Sequence, residues 1–216
     1  MLEKKFIEVI CVTYGHNNEL KCFINSFKCQ DDQDYFLRII HDGNCKQYKK
    51  LKKDLESNDY LTQDITLECS NKRFNDYGHS LRDYCLKNPI RDSEFTLQTN
   101  GDNYYFPVFV QRIKKVYKKY ESIPLLVFWD FVHRYKEGES DKVGYFKVLE
   151  ARLKENRIDM GACVIKSNIA RKIGFNSRRF NADWDYFKEC ADYIMSLNLD
   201  KKNLFIKQDE VLFAHC

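Results

Sequence analysis

Apolar and polar positions fall into blocks along the chain, and the blocks change period from one to the next. Phe6-Ile7-Glu8-Val9-Ile10-Cys11-Val12 is short and β-branched, and it ends at the polar turn Thr13-Tyr14-Gly15-His16-Asn17-Asn18. That pattern predicts a buried strand running into a loop. Leu20, Phe23, Ile24 and Phe27 then recur at helical spacing and predict a helix with one apolar face. A second strand is predicted over residues 35–40, stopping at His41-Asp42-Gly43-Asn44, and a lysine-rich amphipathic helix over residues 46–56. A strand at 65–69, a helix at 76–88 and a strand at 94–99 follow, the last running into Asn100-Gly101-Asp102-Asn103. Pro107 is read as opening a helix striped by Val110, Ile113, Val116, Tyr117 and Tyr120, because a first turn tolerates the missing N–H. Residues 125–129 predict a fifth strand. The last third predicts a strand near 160–165, helices around 167–173 and 184–197, and a final strand near 204–213.

Alternating strands and helices predict an α/β protein whose central sheet carries helices on its faces. No repeat or linker interrupts the 216 residues, so a single domain is expected, whether or not it belongs to a longer chain. In such sheets ligands bind beyond the carboxyl ends of the strands. Polar clusters at 13–17, 42–44 and 100–103 occupy three such ends, and the architecture predicts that they converge. Each cluster alone also reads as an ordinary turn.

Composition narrows the function. With 44% hydrophobic and 31% charged residues, the chain is neither disordered nor of low complexity. A mean hydropathy of -0.60 and the lack of a long apolar run exclude a membrane span. The 36 basic and 32 acidic residues leave a net charge of +4, too balanced to predict nucleic-acid binding. Basic runs at 46–53 and 112–119 read as solvated helix faces, or alternatively as attraction to an anionic membrane surface or an acidic acceptor. Nine cysteines without a C-x-x-C pair, behind a charged start with no apolar leader, predict free thiols in a reducing cytoplasm. No G-x-G-x-x-G follows the first strand and no G-x-x-x-x-G-K-[ST] occurs. The phosphates of a nucleotide would therefore need another partner, and a divalent cation held by carboxylate is the natural one.

The order of motifs resembles the inverting GT-A glycosyltransferases of family 2, which transfer a sugar from a nucleotide-sugar donor. The resemblance rests on Thr13-Tyr14 after the first strand, Ser26-Phe27 and Gln30 in the helix, and Asp42-Gly43-Asn44 where the family has an Asp-Gly-Ser turn. It continues through Asn75-Asp76-Tyr77-Gly78-His79-Ser80-Leu81-Arg82, similar to the family's Asn/Gly-rich segment, and Asn100-Gly101-Asp102, similar to its Asp-x-Asp. Gly174-Phe175 and Asp183-Trp184-Asp185 are similar to its Gly-Phe and Glu-Asp-Trp region. Two positions depart from the pattern: Asn100 replaces the first acid of Asp-x-Asp, and Ala182 stands where relatives have a second acid before Asp183.

The resemblance implies a GT-A, Rossmann-like α/β domain using a nucleotide-diphospho-sugar, UDP-sugar favoured. The acceptor would be a hydroxyl of a glycan, glycoprotein or glycolipid, and transfer would proceed with inversion. Thr13, Tyr14, Asp42, Gly78, Arg82, Asn100 and Gly101 would bind the donor, and Asp102 and His215 would hold Mn²⁺ or Mg²⁺. Asp183 would be the general base, although it also reads as a helix N-cap. Arg82 reads alternatively as a surface ion-pair partner, and His215 as a solvated side chain near the chain end. His41, His79 and His133 carry weaker claims, and Asp185 or His133 would be the base if Asp183 only caps. Asn100 and Ala182 motivate one further reading, a catalytically silent sugar-nucleotide or glycan-binding module. A sugar-1-phosphate nucleotidyltransferase is disfavoured, since its glycine-rich phosphate loop is missing.

Overall fold

A computed structural model describes residues 3–15, 17–121, 123–135 and 145–215 of the chain. Nine strands and six helices make up the described residues: β1 (Lys5–Thr13), α1 (Asn17–Lys28), β2 (Tyr35–His41), α2 (Lys46–Ser57) and β3 (Ile65–Cys69) come first. They are followed by α3 (His79–Lys87), β4 (Ser93–Asn100), β5 (Tyr104–Tyr105), α4 (Phe109–Lys119), β6 (Leu126–Tyr135) and β7 (Tyr145–Leu149). A 3-10 turn (Met160–Ala162) leads into β8 (Cys163–Lys166), α5 (Ser167–Ile173), α6 (Ala182–Ser196) and β9 (Phe205–His215).

All nine strands join one sheet in the order β3-β2-β1-β4-β8-β6-β9-β5, with β7 added on β6. The sheet is mixed. Strands β1 to β4 are mutually parallel, β9 runs parallel to β6, and β8 is antiparallel to both β4 and β6. The parallel ladders carry most of the residue pairs, which explains why β1 and β2 are apolar nearly without interruption: each is covered on both faces.

The chain moves outward from β1 to β2 and β3, then crosses back to place β4 on the other side of β1. Right-handed crossovers in opposite directions put α1 and α2 on one face and α3 on the other. Ring contacts of Phe27 in α1 with Phe109 of α4 and Tyr105 of β5 fill the first face. On the second, α5 packs on α3, α6 and β4. The reversal of strand order at β1 splays the connections beyond β1 and β4, opening the crevice in which such sheets bind ligands.

Most predicted elements are present, with informative exceptions. Helix α3 starts at His79 rather than residue 76, because Asn75, Tyr77 and Gly78 have φ of 55°, 58° and 80°, which no right-handed helix accommodates. Pro107 lies in the turn before α4 rather than in its first turn, and the Phe109 N–H bonds back to the Phe106 carbonyl. The predicted strand near 160–165 is a 3-10 turn followed by a shorter strand, and β5 and β7 had no counterpart in the sequence reading. No helix among the described residues is long and apolar enough to cross a membrane.

Candidate active site

The three predicted strand-end clusters do converge. Thr13 and Tyr14 from the end of β1, Asp42 from the end of β2, and Asn100, Gly101 and Asp102 from the end of β4 line one cavity of about 400 Å³. The loop before α3 closes it with Arg73, Asn75, Tyr77 and Gly78. Of the clusters' other members, His16 lies outside the described residues.

Asp42 builds the cavity wall. Its two carboxylate oxygens accept the backbone N–H groups of Phe74 (2.8 Å) and Asn75 (3.0 Å). That tie holds the loop in its left-handed turns, and each oxygen keeps a further lone pair for a ligand. Tyr14 stacks under the Arg73 guanidinium, 3.7 Å from the ring centroid, so a cation overhangs the cavity. Sequence reasoning missed Arg73, whose only signal was its place two residues before the Asn/Gly-rich segment. Gly101 packs tightly, since a Cβ there would meet Leu20 at 2.9 Å and the Thr13 hydroxyl at 3.1 Å.

Gly78 has both a positive φ and no room, because a Cβ would overlap the Val12 side chain. Gly78→Ala is expected to lose about 1–3 kcal/mol of stability from strain and overpacking. Urea unfolding measures this, and an unchanged midpoint would show that the loop relaxes freely.

A second cavity of about 480 Å³ adjoins the first, with Tyr77 and Asn100 lining both. Its chemistry comes from Asp159, Asp183, Glu155, His79, His133, His215 and Arg82. Asp183 is the second residue of α6, not its N-cap, which is Asn181. Its Oδ2 accepts the Met160 N–H at 3.1 Å, so the carboxylate points across the cleft rather than onto its own helix. Burial first, and then the charge of Asp159, pushes the Asp183 carboxyl up to about 6, with Arg82, the Met160 N–H and His215 opposing.

Asp159 is the second carboxylate that Ala182 had appeared to remove. It comes from the residue before the 3-10 turn, where its Oδ1 accepts the Gly161 N–H at 2.8 Å. Asp185, weighed as a substitute base, is unsuited. Its carboxylate is bound by both arms of Arg179 and by the Ser177 hydroxyl, and these bonds hold it below the usual carboxylate range.

Arg82 is buried, not a surface ion-pair residue. Its guanidinium donates to the carbonyls of Tyr77 (2.8 Å) and Thr99 (3.4 Å) and to the Asn100 side chain, while Nε has no hydrogen-bond partner. It lines the second cavity and ties the loop before α3 to the end of β4. His215 ends β9 rather than trailing in solvent. Its ring stacks on His133 at 4.7 Å, and its Nδ1 lies 3.5 Å from Asp159. His79 is buried with Nε2 2.9 Å from the Arg179 carbonyl, and burial lowers its pKa. His41 packs beneath Tyr14 with Nδ1 2.9 Å from the Gly43 carbonyl.

A divalent cation of the Mg²⁺ or Mn²⁺ kind calls for hard oxygen ligands. Asp102 has a buried Oδ1 with no hydrogen-bond partner, a hard oxygen suited to Mn²⁺ or Mg²⁺. His215 lines the other cavity, although the pairing of Tyr104 with Ala214 brings its strand beside the segment after Asp102. Among the described residues, no group of three or more His, Cys, Asp or Glu side chains could hold a metal. With one carboxylate offered, an ion held by Asp102 would have to take its remaining ligands from phosphate and water, as Mg²⁺ commonly does.

No protein-family model matches the chain, and neither does any curated protein. Solved structures do. S. aureus TarS 1-349 superposes with a TM-score of 0.67 at 13% identity, covering 97% of this chain and 60% of that one. TarS 1-349 in complex with UDP-GlcNAc gives 0.69 at 11% identity, covering 97% and 58%. The mannosyltransferase PcManGT from Pyrobaculum calidifontis, in complex with GDP-Man and Mn²⁺, gives 0.66 at 11%, covering 99% and 57%. The chain spans about three fifths of the length of these proteins. At such identities the likeness is one of fold: a single α/β domain of the GT-A glycosyltransferase type.

Proposed function

We propose that the chain is a glycosyltransferase that moves a sugar from a nucleotide-diphospho-sugar, UDP-sugar favoured, to a hydroxyl of a glycan or glycoconjugate, with inversion. The observation that carries the reading is the joined cleft: a polar cavity at the ends of β1, β2 and β4 opens onto a buried carboxylate whose pKa is about 6.

The first cavity takes the nucleotide, with Tyr14, Asp42 and Arg73 against the base and ribose side and Gly101, packed on Leu20 and Thr13, forming its floor. Asp102 would hold a divalent ion, which would supply neutralising charge to the diphosphate. Arg82 adds buried positive charge behind the leaving group while fixing Tyr77 and Asn100. Asp183 accepts the acceptor hydroxyl's proton as that oxygen attacks the anomeric carbon. The anomeric C–O bond to the diphosphate breaks on the opposite face, and its electron pair leaves with the diphosphate oxygen. Burial, and then the charge of Asp159, keep Asp183 basic enough to take a proton near neutrality, the range in which a general base works best.

One observation favours a second reading, a silent sugar-nucleotide or glycan-binding module. The Asn100 side chain accepts from Arg82, so it offers no charge to a metal. Incubation of the protein with UDP-sugars and Mn²⁺ separates the two. Slow release of free UDP in the absence of acceptor is expected, whereas binding without any release would establish the silent module.

A further inference from the structure

Two exposed aromatic rings stand at the rim of the cleft and have no role in the chemistry above. Phe180 is 78% exposed and Tyr77 63%, and no other large apolar side chain among the described residues is as exposed as Phe180. Single exposed apolar residues need no explanation, but these two touch, with ring centroids 5.2 Å apart at 76°. Both line the cavity that holds Asp183.

The backbone beside each ring is tied down. Phe180 follows Arg179, whose side chain grips Asp185, while His79 lies against the Arg179 carbonyl and the Ser177 hydroxyl bonds to Asp185 at 2.6 Å. Tyr77 sits at φ 58°, a costly conformation for a bulky residue, and Arg82 holds its carbonyl at 2.8 Å. Strain held by a buried charge, with the ring left in water, marks a surface shaped for a ligand. Beside the rings are Asn181, Glu155 and Asn156, hydrogen-bonding side chains suited to hydroxyl groups.

We propose that Tyr77 and Phe180 form a stacking platform for the apolar face of a pyranose ring of the acceptor, so that the acceptor is itself a carbohydrate. The assignment rests on the glycosyltransferase reading. Phe180 lines the Asp183 cavity and not the nucleotide cavity, while Tyr77 lines both, so the platform stands where the two meet and extends to the acceptor side. The C–H groups of a pyranose face meet the negative faces of the rings, and its equatorial hydroxyls reach the neighbouring amides and carboxylate.

Saturation-transfer NMR on the whole chain, with and without UDP and Mn²⁺, tests the platform using maltotriose, N,N′-diacetylchitobiose and lactose as probes. Irradiating the aromatic protons should saturate ring C–H protons of at least one sugar. Phe180→Ala should weaken that sugar about tenfold, with Phe180→Trp restoring it and Phe180→Leu failing to. No transfer to any of the three sugars, or Phe180→Leu behaving as wild type, overturns the proposal. So does a Phe180→Ala variant that loses UDP affinity by the same factor, since the ring would then serve the nucleobase. Phe180-dependent sedimentation with phosphatidylglycerol vesicles without sugar contact would likewise overturn it. Wild-type UDP affinity is the separate readout of the glycosyltransferase reading: UDP bound without sugar contact sinks the platform alone, and sugar contact without UDP binding sinks the parent reading and with it the acceptor role, leaving the two rings as a sugar-binding surface.

Discussion

Asp183→Asn should reduce sugar transfer at least a hundredfold while leaving the protein as stable as wild type or more so. Loss of a general base costs about 10²–10⁴-fold in rate. The structural cost is small, because the asparagine oxygen can still accept the Met160 N–H and the residue does not cap its helix. The stability gain has a definite pH window. The folded-state pKa of Asp183 is raised from 3.8 to about 6, so its contribution to stability is present below the unfolded value and is lost as pH rises through 6. Removing the charge should therefore stabilise the protein by on the order of 1–3 kcal/mol at pH 7.5, and by nothing near pH 3. In the wild type, kcat/KM should fall toward acid with a midpoint near 6, and that limb should vanish from whatever activity the variant keeps. Stopped assays across pH together with denaturant melts check both halves. A variant that melts early yet transfers at the wild-type rate per folded molecule would remove Asp183 from the chemistry and leave Asp159 as the carboxylate to test.

The second large effect is expected at Asp102. Asp102 lines the cavity at the ends of β1, β2 and β4, and its Oδ1 is buried with no hydrogen-bond partner. Wild type should bind UDP at least about tenfold more tightly with Mn²⁺ than with chelator, and Asp102→Asn should lose that difference, because an amide carries no charge to hold the ion. Calorimetric titration in the two buffers gives the answer. Equal tightening by Mn²⁺ in wild type and variant would place the ion elsewhere, with His215 and Asp159 the next residues to substitute.

The fold was legible where periodicity was strong. β1, β2 and β4 are legible because an apolar run marks a strand covered on both faces, and α4 because a helical stripe marks one buried face; the polar breaks between them fall at the strand ends that form the cleft. What sequence did not reveal was set by tertiary contact. β5 is two residues long and exists through its pairing with β9. β7 alternates too briefly to stand out, and Phe146 and Val148 leave much of its surface exposed. Asp159 lies 24 positions before Asp183 in an irregular segment, and only the turn of the chain into β8 brings the two carboxylates together. The alternative sequence reading of Arg82 as a surface ion-pair partner fails because α3 packs that position against the end of β4 and buries it.

Hydrogen–deuterium exchange with and without UDP and Mn²⁺ tests the central claim most directly, because it reports where a donor nucleotide sits. Binding at the ends of β1 and β4 should slow exchange in residues 12–15, 73–78 and 100–103 together, with the N-terminal ends of the same strands unchanged. Protection confined to another surface, or none at UDP concentrations that saturate a binding signal, would contradict it.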